Sequence, residues 1–181
     1  MNPPEIVPAQ IAEISRLVAA YIVTQHEKYA SEASPLMAQT KEALRLREFF
    51  SPESLNRARL RWLVGGVRIE NPSFYPMLVE LGLRDLPDLS AMDGITFDDV
   101  VVLHVPPTPS LLFHELVHVE QYRQLGVDRF SELYVSGFLN GGSYEAIPLE
   151  QQAYALEHAF TASPTRAFSV AENVARLHPR E

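Results

Sequence analysis

The sequence predicts a mainly helical α+β fold, with a small antiparallel sheet, a helix that follows it directly, and a later helix that returns to the same place. Three observations predict it. Apolar residues recur at helical spacing over most of the chain, and short strand-like runs are confined to about 60–70 and 95–104. Between the second of these runs and the later helix, Phe113-His114-Glu115-Leu116-Val117-His118-Val119-Glu120-Gln121 contains a complete His-Glu-x-x-His. A length of 181 residues is expected to give one domain, with a helical part over 1–60, a core over about 61–162, and a C-terminal helix and tail over 163–181.

Residues 9–30 read as an amphipathic helix, because Ile11, Ile14, Val18, Tyr21 and Ile22 share one face. His26, near its end, reads as a solvated or capping residue. Ser34-Pro35 predicts the start of a second helix running through Leu36, Leu44 and Leu46 to Phe50, and Ser51-Pro52 that of a third, shorter one. A serine cap accepts one of the free N–H groups, and proline at the first helical position has none to lose. These segments carry no catalytic pattern and are expected to pack.

Leu60, Trp62, Val64, Val67 and Ile69 alternate with Arg or Gly, which predicts strand pairing broken at Gly65-Gly66. Phe74 to Leu81 reads as a short helix, followed by a loop rich in Pro and Asp that ends at Asp93-Gly94. Ile95-Thr96-Phe97 and Val100-Val101-Val102-Leu103-His104 read as two short strands around Asp98-Asp99. Val100–His104 is the expected edge, able to pair with an extended peptide, and His104 reads as its polar end.

Pro106, Pro107 and Pro109 stop that strand. Thr108 then caps the motif helix with Pro109 at its first position, and Gly126 falls where a terminating glycine is expected. Phe130, Leu133, Tyr134, Phe138 and Leu139 suggest another helix ending at Asn140-Gly141-Gly142. Pro148 opens a helix through Glu150, Ala153, Tyr154, Glu157 and Phe160. Ser163-Pro164 opens a last, weaker one before a polar tail.

On a helix, residues four apart lie on one face with Cβ atoms about 5–6 Å apart. His114 and His118 can therefore offer imidazole nitrogens to one tetrahedral Zn²⁺. Glu115 flanks that ion without competing for it and can take a proton from a metal-activated water. With 6 His and 17 Glu in the chain, chance supplies about 0.02 such motifs, so a coincidental amphipathic helix is the weaker reading. Glu115-x-x-His118 is also half of a di-iron carboxylate site. That site needs a second Glu-x-x-His, and the chain has none.

A catalytic zinc needs a third protein ligand. Gln121 and Gln124 stand where a metzincin requires Gly and His, and there is no cysteine. A downstream carboxylate remains. Glu150, in the first turn of its helix, where the dipole favours a carboxylate, stands ahead of Glu145 in a Gly-rich loop and of Glu157. Tyr144, Tyr154 and Tyr134 are candidates for the donor that a tetrahedral oxyanion needs.

The 46% apolar and 21% charged composition suits a soluble globular protein, and no run approaches the length of a transmembrane helix. Met1-Asn2-Pro3-Pro4-Glu5 lacks the basic start of a secretory signal. The absence of cysteine fits a cytoplasmic protein, and a net charge of −8 argues against nucleic-acid binding.

His114-Glu115-Leu116-Val117-His118-Val119-Glu120-Gln121-Tyr122, with Ile95-Thr96-Phe97 before it and Pro148-Leu149-Glu150-Gln151-Gln152-Ala153 after it, resembles the gluzincin branch of zinc metallopeptidases. It is similar more specifically to small uncharacterised bacterial metallopeptidases. The resemblance covers roughly residues 94–158. It implies a zincin-like fold, a Zn²⁺ held by His114, His118 and Glu150, Glu115 as general base, and hydrolysis of a peptide or protein substrate. One position departs from the pattern. Many gluzincins carry an Asp four residues after the Glu ligand, bonded to a metal-binding imidazole, and here that position is Tyr154. Tyr154 is expected near such an imidazole, with Glu157 or a backbone carbonyl replacing the missing carboxylate. The alternative expectation is a non-catalytic zinc-binding or interaction module on the same fold.

Overall fold

Proline and serine set many of the element boundaries. The computed structural model describes residues 7–39 and 42–177, with the backbone alone for 38, 39 and 42–44. Pro8 opens the first helix, α1 (Pro8–Ala30). A two-residue strand β1 (Ser34–Pro35), one helical turn α2 (Leu36–Gln39) and a 3₁₀ segment over Glu42–Glu48 follow. Ser51 caps α3 (Pro52–Arg57), its Oγ accepting the Ser54 N–H at 3.1 Å. Next come β2 (Arg59–Trp62), α4 (Tyr75–Glu80), β3 (Gly94–Phe97) and β4 (Val100–Leu103). The chain continues through α5 (Pro109–Gly141), α6 (Pro148–Ala162) and α7 (Val170–Leu177). The result is mainly helical with one small sheet. Among the described residues no helix is long and apolar enough to cross a membrane.

The sheet is mixed rather than antiparallel. Its order is β1-β2-β4-β3, with β2 parallel to β4 and the outer pairs antiparallel. Parallel neighbours need a long crossover, and the segment between Trp62 and Val100, which contains α4 and β3, supplies it. The sheet's expected edge is also corrected. Val100, Val101, Val102 and Leu103 are fully buried on the inner strand. Four consecutive apolar residues suit a strand covered on both faces, whereas alternation suits a half-exposed one. Each such side chain gains roughly 1.5–3 kcal/mol from full burial, part of which an edge position would forfeit. The edge beside α5 is β3.

The two faces of the sheet are covered differently. Val101 and Leu103 join Leu112, Phe113 and Leu116 of α5 in one core, which α3, α6 and α7 complete. Val100, Val102 and Phe97 join Ile22 and Tyr29 of α1 in a second, where Tyr29 stacks on Phe97 with centroids 6.3 Å apart.

Several boundaries differ from those read in the sequence. Ser34-Pro35 precedes helical chain as expected, but the run is α2 and a 3₁₀ segment rather than one helix to Phe50. The pair itself joins Leu60 and Arg59 as an outer strand, a place where proline's missing N–H costs little. Val67 and Ile69 lie in irregular chain, because Gly65 and Gly66 turn it away at φ 72° and 77°. Ser163-Pro164 forms a turn, and α7 begins later, with Ser169 Oγ accepting the Glu172 N–H at 3.2 Å. The side chain of Leu44, the first six residues and the end of the polar tail from 178 lie outside the described residues.

Gly126 kinks α5 instead of ending it. Its φ of 73° and ψ of 168° break the helix for one residue, a conformation open to glycine and costly for other residues. The helix then resumes over 127–141 and brings Phe130 to 6.3 Å from the His118 ring, centroid to centroid.

Candidate metal centre

His114 and His118 stand on the first half of α5, whose start is fixed by Pro109 and by Thr108 Oγ1, which accepts the Leu111 N–H at 3.3 Å. Both rings are buried. Glu150 reaches them from the first turn of α6 and is itself only 4% exposed. His118 Nε2 lies 3.2 Å from His114 Nε2, and Glu150 Oε2 lies 3.3 Å and 3.6 Å from those two nitrogens. Together the three residues could hold one metal ion. A tetrahedral ion with bonds of about 2.0–2.1 Å has donors about 3.3–3.4 Å apart, so these three separations fit it.

The hydrogen bonds on the far sides of the rings fit as well. His118 Nδ1 faces Gln121 Oε1 at 2.8 Å. The orientation of that amide is fixed, because Gln121 Nε2 donates to the Leu149 carbonyl and to Gln152 Oε1, both at 3.0 Å. Gln152 Nε2 donates in turn to the Asn173 carbonyl at 3.1 Å. His114 Nδ1 donates to Glu157 Oε2 at 3.2 Å. Acceptors at both Nδ1 atoms place the ring protons there and turn the Nε2 lone pairs toward each other. Glu150 Oε2 is buried without a hydrogen-bond partner, which costs about 1–3 kcal/mol or more for a charged group. Three donors at this spacing could hold a metal ion between them.

Electrostatics agrees. Burial disfavours charging the rings, but Glu150 and Glu157 outweigh it and hold His114 up at about 10. His118 is also raised, with burial opposed chiefly by the Glu150 charge. Burial pushes the Glu150 carboxyl up, yet His118 and His114 hold it below the usual carboxylate range. The centre favours positive charge, whether proton or metal.

Glu115 lies one residue past His114 and is 3% exposed. Thr96 Oγ1 sits 2.7 Å from its Oε2 and 3.1 Å from its backbone carbonyl. Burial pushes the Glu115 carboxyl up, with the His114 and His118 rings opposing. Its other oxygen, Oε1, faces Gly94. A Cβ at that glycine would stand 2.7 Å from Oε1 and 2.9 Å from Leu103 Cδ2, so any other residue requires the Glu115 and Leu103 side chains to shift.

The remaining candidates separate clearly. Glu145 is exposed on the 3₁₀ turn Tyr144–Ala146, outside the convergent group. Tyr154 is 49% exposed and packs its ring on His114, with centroids 4.5 Å apart and planes tilted by 55°. His114 Nδ1 donates to Glu157 instead. Tyr144 lines the site beside Glu150, and burial together with that carboxylate pushes its phenol well up. Tyr134 lies deeper, on the second half of α5. His104 is structural: its Nδ1 donates to the Met92 carbonyl at 2.6 Å and its Nε2 accepts the Ile69 N–H at 3.0 Å. His26 is not a solvated or capping residue. Its Nε2 lies 2.7 Å from Asp99 Oδ1, across 73 residues of chain.

Sequence reasoning missed Thr96, Gly94 and Gln121 as parts of the site. For Gln121 a signal existed, since it stands three residues after His118 on the same helical face. For Thr96 and Gly94 the contact is across the fold, and the local sequence carries none.

Two spaces meet at the centre. An open cleft of about 360 Å³ is bordered by His114, Glu115, Tyr144, Tyr154 and Glu157. A narrower pocket of about 110 Å³ runs from the same His114 and Glu115 past His118 toward α1 and the second half of α5. No family model matches the chain, and no curated protein and no solved structure matches it either.

Proposed function

We propose that this chain is a zinc-dependent hydrolase acting on peptide bonds. The observation that carries the reading is the convergence of the His114, His118 and Glu150 lone pairs beside a buried, oriented Glu115, at the floor of an open cleft. Zinc suits two imidazoles and a carboxylate, and when bound it polarises a carbonyl and lowers the pKa of a water toward 7.

The chain's own residues supply the rest. Thr96 holds Glu115 Oε2, which leaves Oε1, facing Gly94, to accept a proton and later return it to a leaving amine. Tyr144, at the junction of cleft and pocket, is placed to donate to an oxyanion, since its raised pKa keeps the phenol protonated. Strand β3 supports a peptide in particular. The Asp93 carbonyl accepts the His104 N–H at 2.8 Å, and antiparallel bonds alternate along a strand. Gly94 and Thr96 therefore turn their N–H and C=O groups outward, beside Glu115, where an extended chain can pair with them. Against a zinc-stabilised interaction module stands the ligand count. Structural zinc sites take four protein ligands, and the convergent group has three among the described residues.

The test is a peptide-library digest with zinc-loaded protein and its Glu115→Gln variant. The amide keeps the shape but cannot act as a base, so the variant is expected to hold zinc and lose hydrolysis. Undiminished turnover in that variant would remove Glu115 from the role.

A further inference from the structure

We propose that the pocket behind the metal centre is a specificity pocket that takes one branched aliphatic side chain of the substrate, next to the scissile amide. The proposal rests on the hydrolase reading and adds the substrate class. Its first support is position. His114, Glu115, His118 and Glu150 are among the residues that line this pocket, so a chain whose amide sits at the centre can direct a neighbouring side chain into it. The second is chemistry. Apart from the centre's own groups, no charged side chain lines the pocket. A charged substrate side chain would enter without a counter-ion and bear the full cost of desolvation. Val18 and Ile22 of α1, Leu89 and Met92 of the loop before β3, and Phe130 beyond the kink give it apolar walls. The Tyr21 hydroxyl at its rim is already engaged by the Glu70 carbonyl at 2.7 Å.

The third support is size. A cavity of about 150 Å³ holds benzene, and this pocket measures about 110 Å³. The smaller space suits a leucine, isoleucine or valine side chain better than an aromatic ring. Val18 and Ile22 of α1 stand among the lining residues and help to bound that space.

The test uses ligands that chelate zinc through a hydroxamate and differ only in the side chain beside it. Acetohydroxamate and the N-acetyl hydroxamates of alanine, leucine, phenylalanine and aspartate are titrated calorimetrically into the full-length, zinc-loaded protein. Leucine is expected to bind at least about tenfold tighter than alanine, phenylalanine or aspartate, the discrimination a fitted apolar pocket gives. Ile22→Ala enlarges the pocket and should raise phenylalanine to the level of leucine. Val18→Phe fills it and should erase the advantage of leucine while zinc content stays the same. Side chains that make less than a twofold difference, while acetohydroxamate binds, would overturn the pocket alone, as would a preference indifferent to both variants. Absence of hydroxamate binding to the zinc-loaded protein would overturn an open position on the metal, and the hydrolase reading and the pocket with it. Discrimination between hydroxamates without cleavage of any peptide would overturn the hydrolase reading and leave the pocket standing.

Discussion

Gln121 holds the His118 ring by an Nδ1–H···Oε1 bond of 2.8 Å, and the same amide is pinned to the residue that precedes Glu150. One side chain thus sets the direction of one lone pair and ties α5 to the first turn of α6, which carries another. Such partners of a metal-binding histidine are worth about 10–100-fold in metal affinity or activity. Gln121→Ala is expected to weaken zinc binding by roughly that factor. It should also cost about 1–3 kcal/mol of stability, because the Leu149 carbonyl and Gln152 lose a buried partner. A competition titration against a chromogenic chelator, with urea melts alongside, checks both. Wild-type affinity in this variant would show the amide to be a packing group only.

Zinc itself should bind at about one ion per chain. The His114→Ala/His118→Ala double variant should bind none, since it removes two of the three convergent donors. Glu150→Ala should lose most of the affinity, and Glu145→Ala, exposed and outside the group, should lose almost none. At free zinc a thousandfold above Kd, binding adds about 4 kcal/mol to stability, or roughly 8–16 °C in Tm for a chain of this size. Metal analysis and thermal melts of chelator-treated and reloaded protein measure both quantities. Full zinc occupancy in the double variant would sink the site as described.

What the sequence makes legible follows from range. His114 and His118 are set by one helix, so the four-residue spacing alone places them on one face, with Glu115 flanking it. Glu150 is readable because Pro148 fixes where α6 begins. Local capping at Thr108 and Ser51 is equally plain. What escapes is decided by partners distant in the chain. Ser34-Pro35 carries a helix-start signal, but its pairing with Leu60 and Arg59 decides its fate. The edge went to β3 because β2 crosses over to lie parallel to β4, a choice that no short window encodes. The partner of His114 did not escape in the same way: of the two replacements expected for a carboxylate at Tyr154, Glu157 accepts the bond. On helix α6 a residue one turn nearer the C-terminus reaches the same ring.

Acid should weaken one tie between α1 and the hairpin β3–β4. Asp99 lies 2.7 Å from His26 Nε2 and 2.8 Å from the Arg59 guanidinium. Burial pushes its carboxyl up, but the bonds from Arg59 and His26 outweigh this and leave it below its usual range. A native pKa below the unfolded value of about 3.9 adds stability above that pH, and the contribution is lost as pH falls through it. Asp99→Asn should therefore cost about 1–3 kcal/mol at pH 7. The difference from wild type should shrink below about pH 4, where wild type loses the same contribution. Urea melts at pH 7, 5 and 3 compare the two, and a constant difference across that range would contradict the assignment.

Gly94 gives a test of the base that leaves the metal ligands untouched. A Cβ there would stand 2.7 Å from Glu115 Oε1 and 2.9 Å from Leu103 Cδ2. Both atoms are side-chain ends that must shift in Gly94→Ala, and a shift of the Glu115 carboxylate strains its bond from Thr96. Zinc content should stay at the wild-type level, because the atoms nearest a Cβ at Gly94 belong to Glu115 and Leu103, not to His114, His118 or Glu150. Hydrolysis should fall by about 10²–10⁴, the usual worth of a positioned general base. The loss in Glu115→Gln should be similar. The two changes act on one group, so the Gly94→Ala/Glu115→Gln double variant should be no slower than the slower single variant. A further hundredfold drop in the double variant would mean that Gly94 acts apart from Glu115, through the backbone edge of β3 on which an extended substrate would pair.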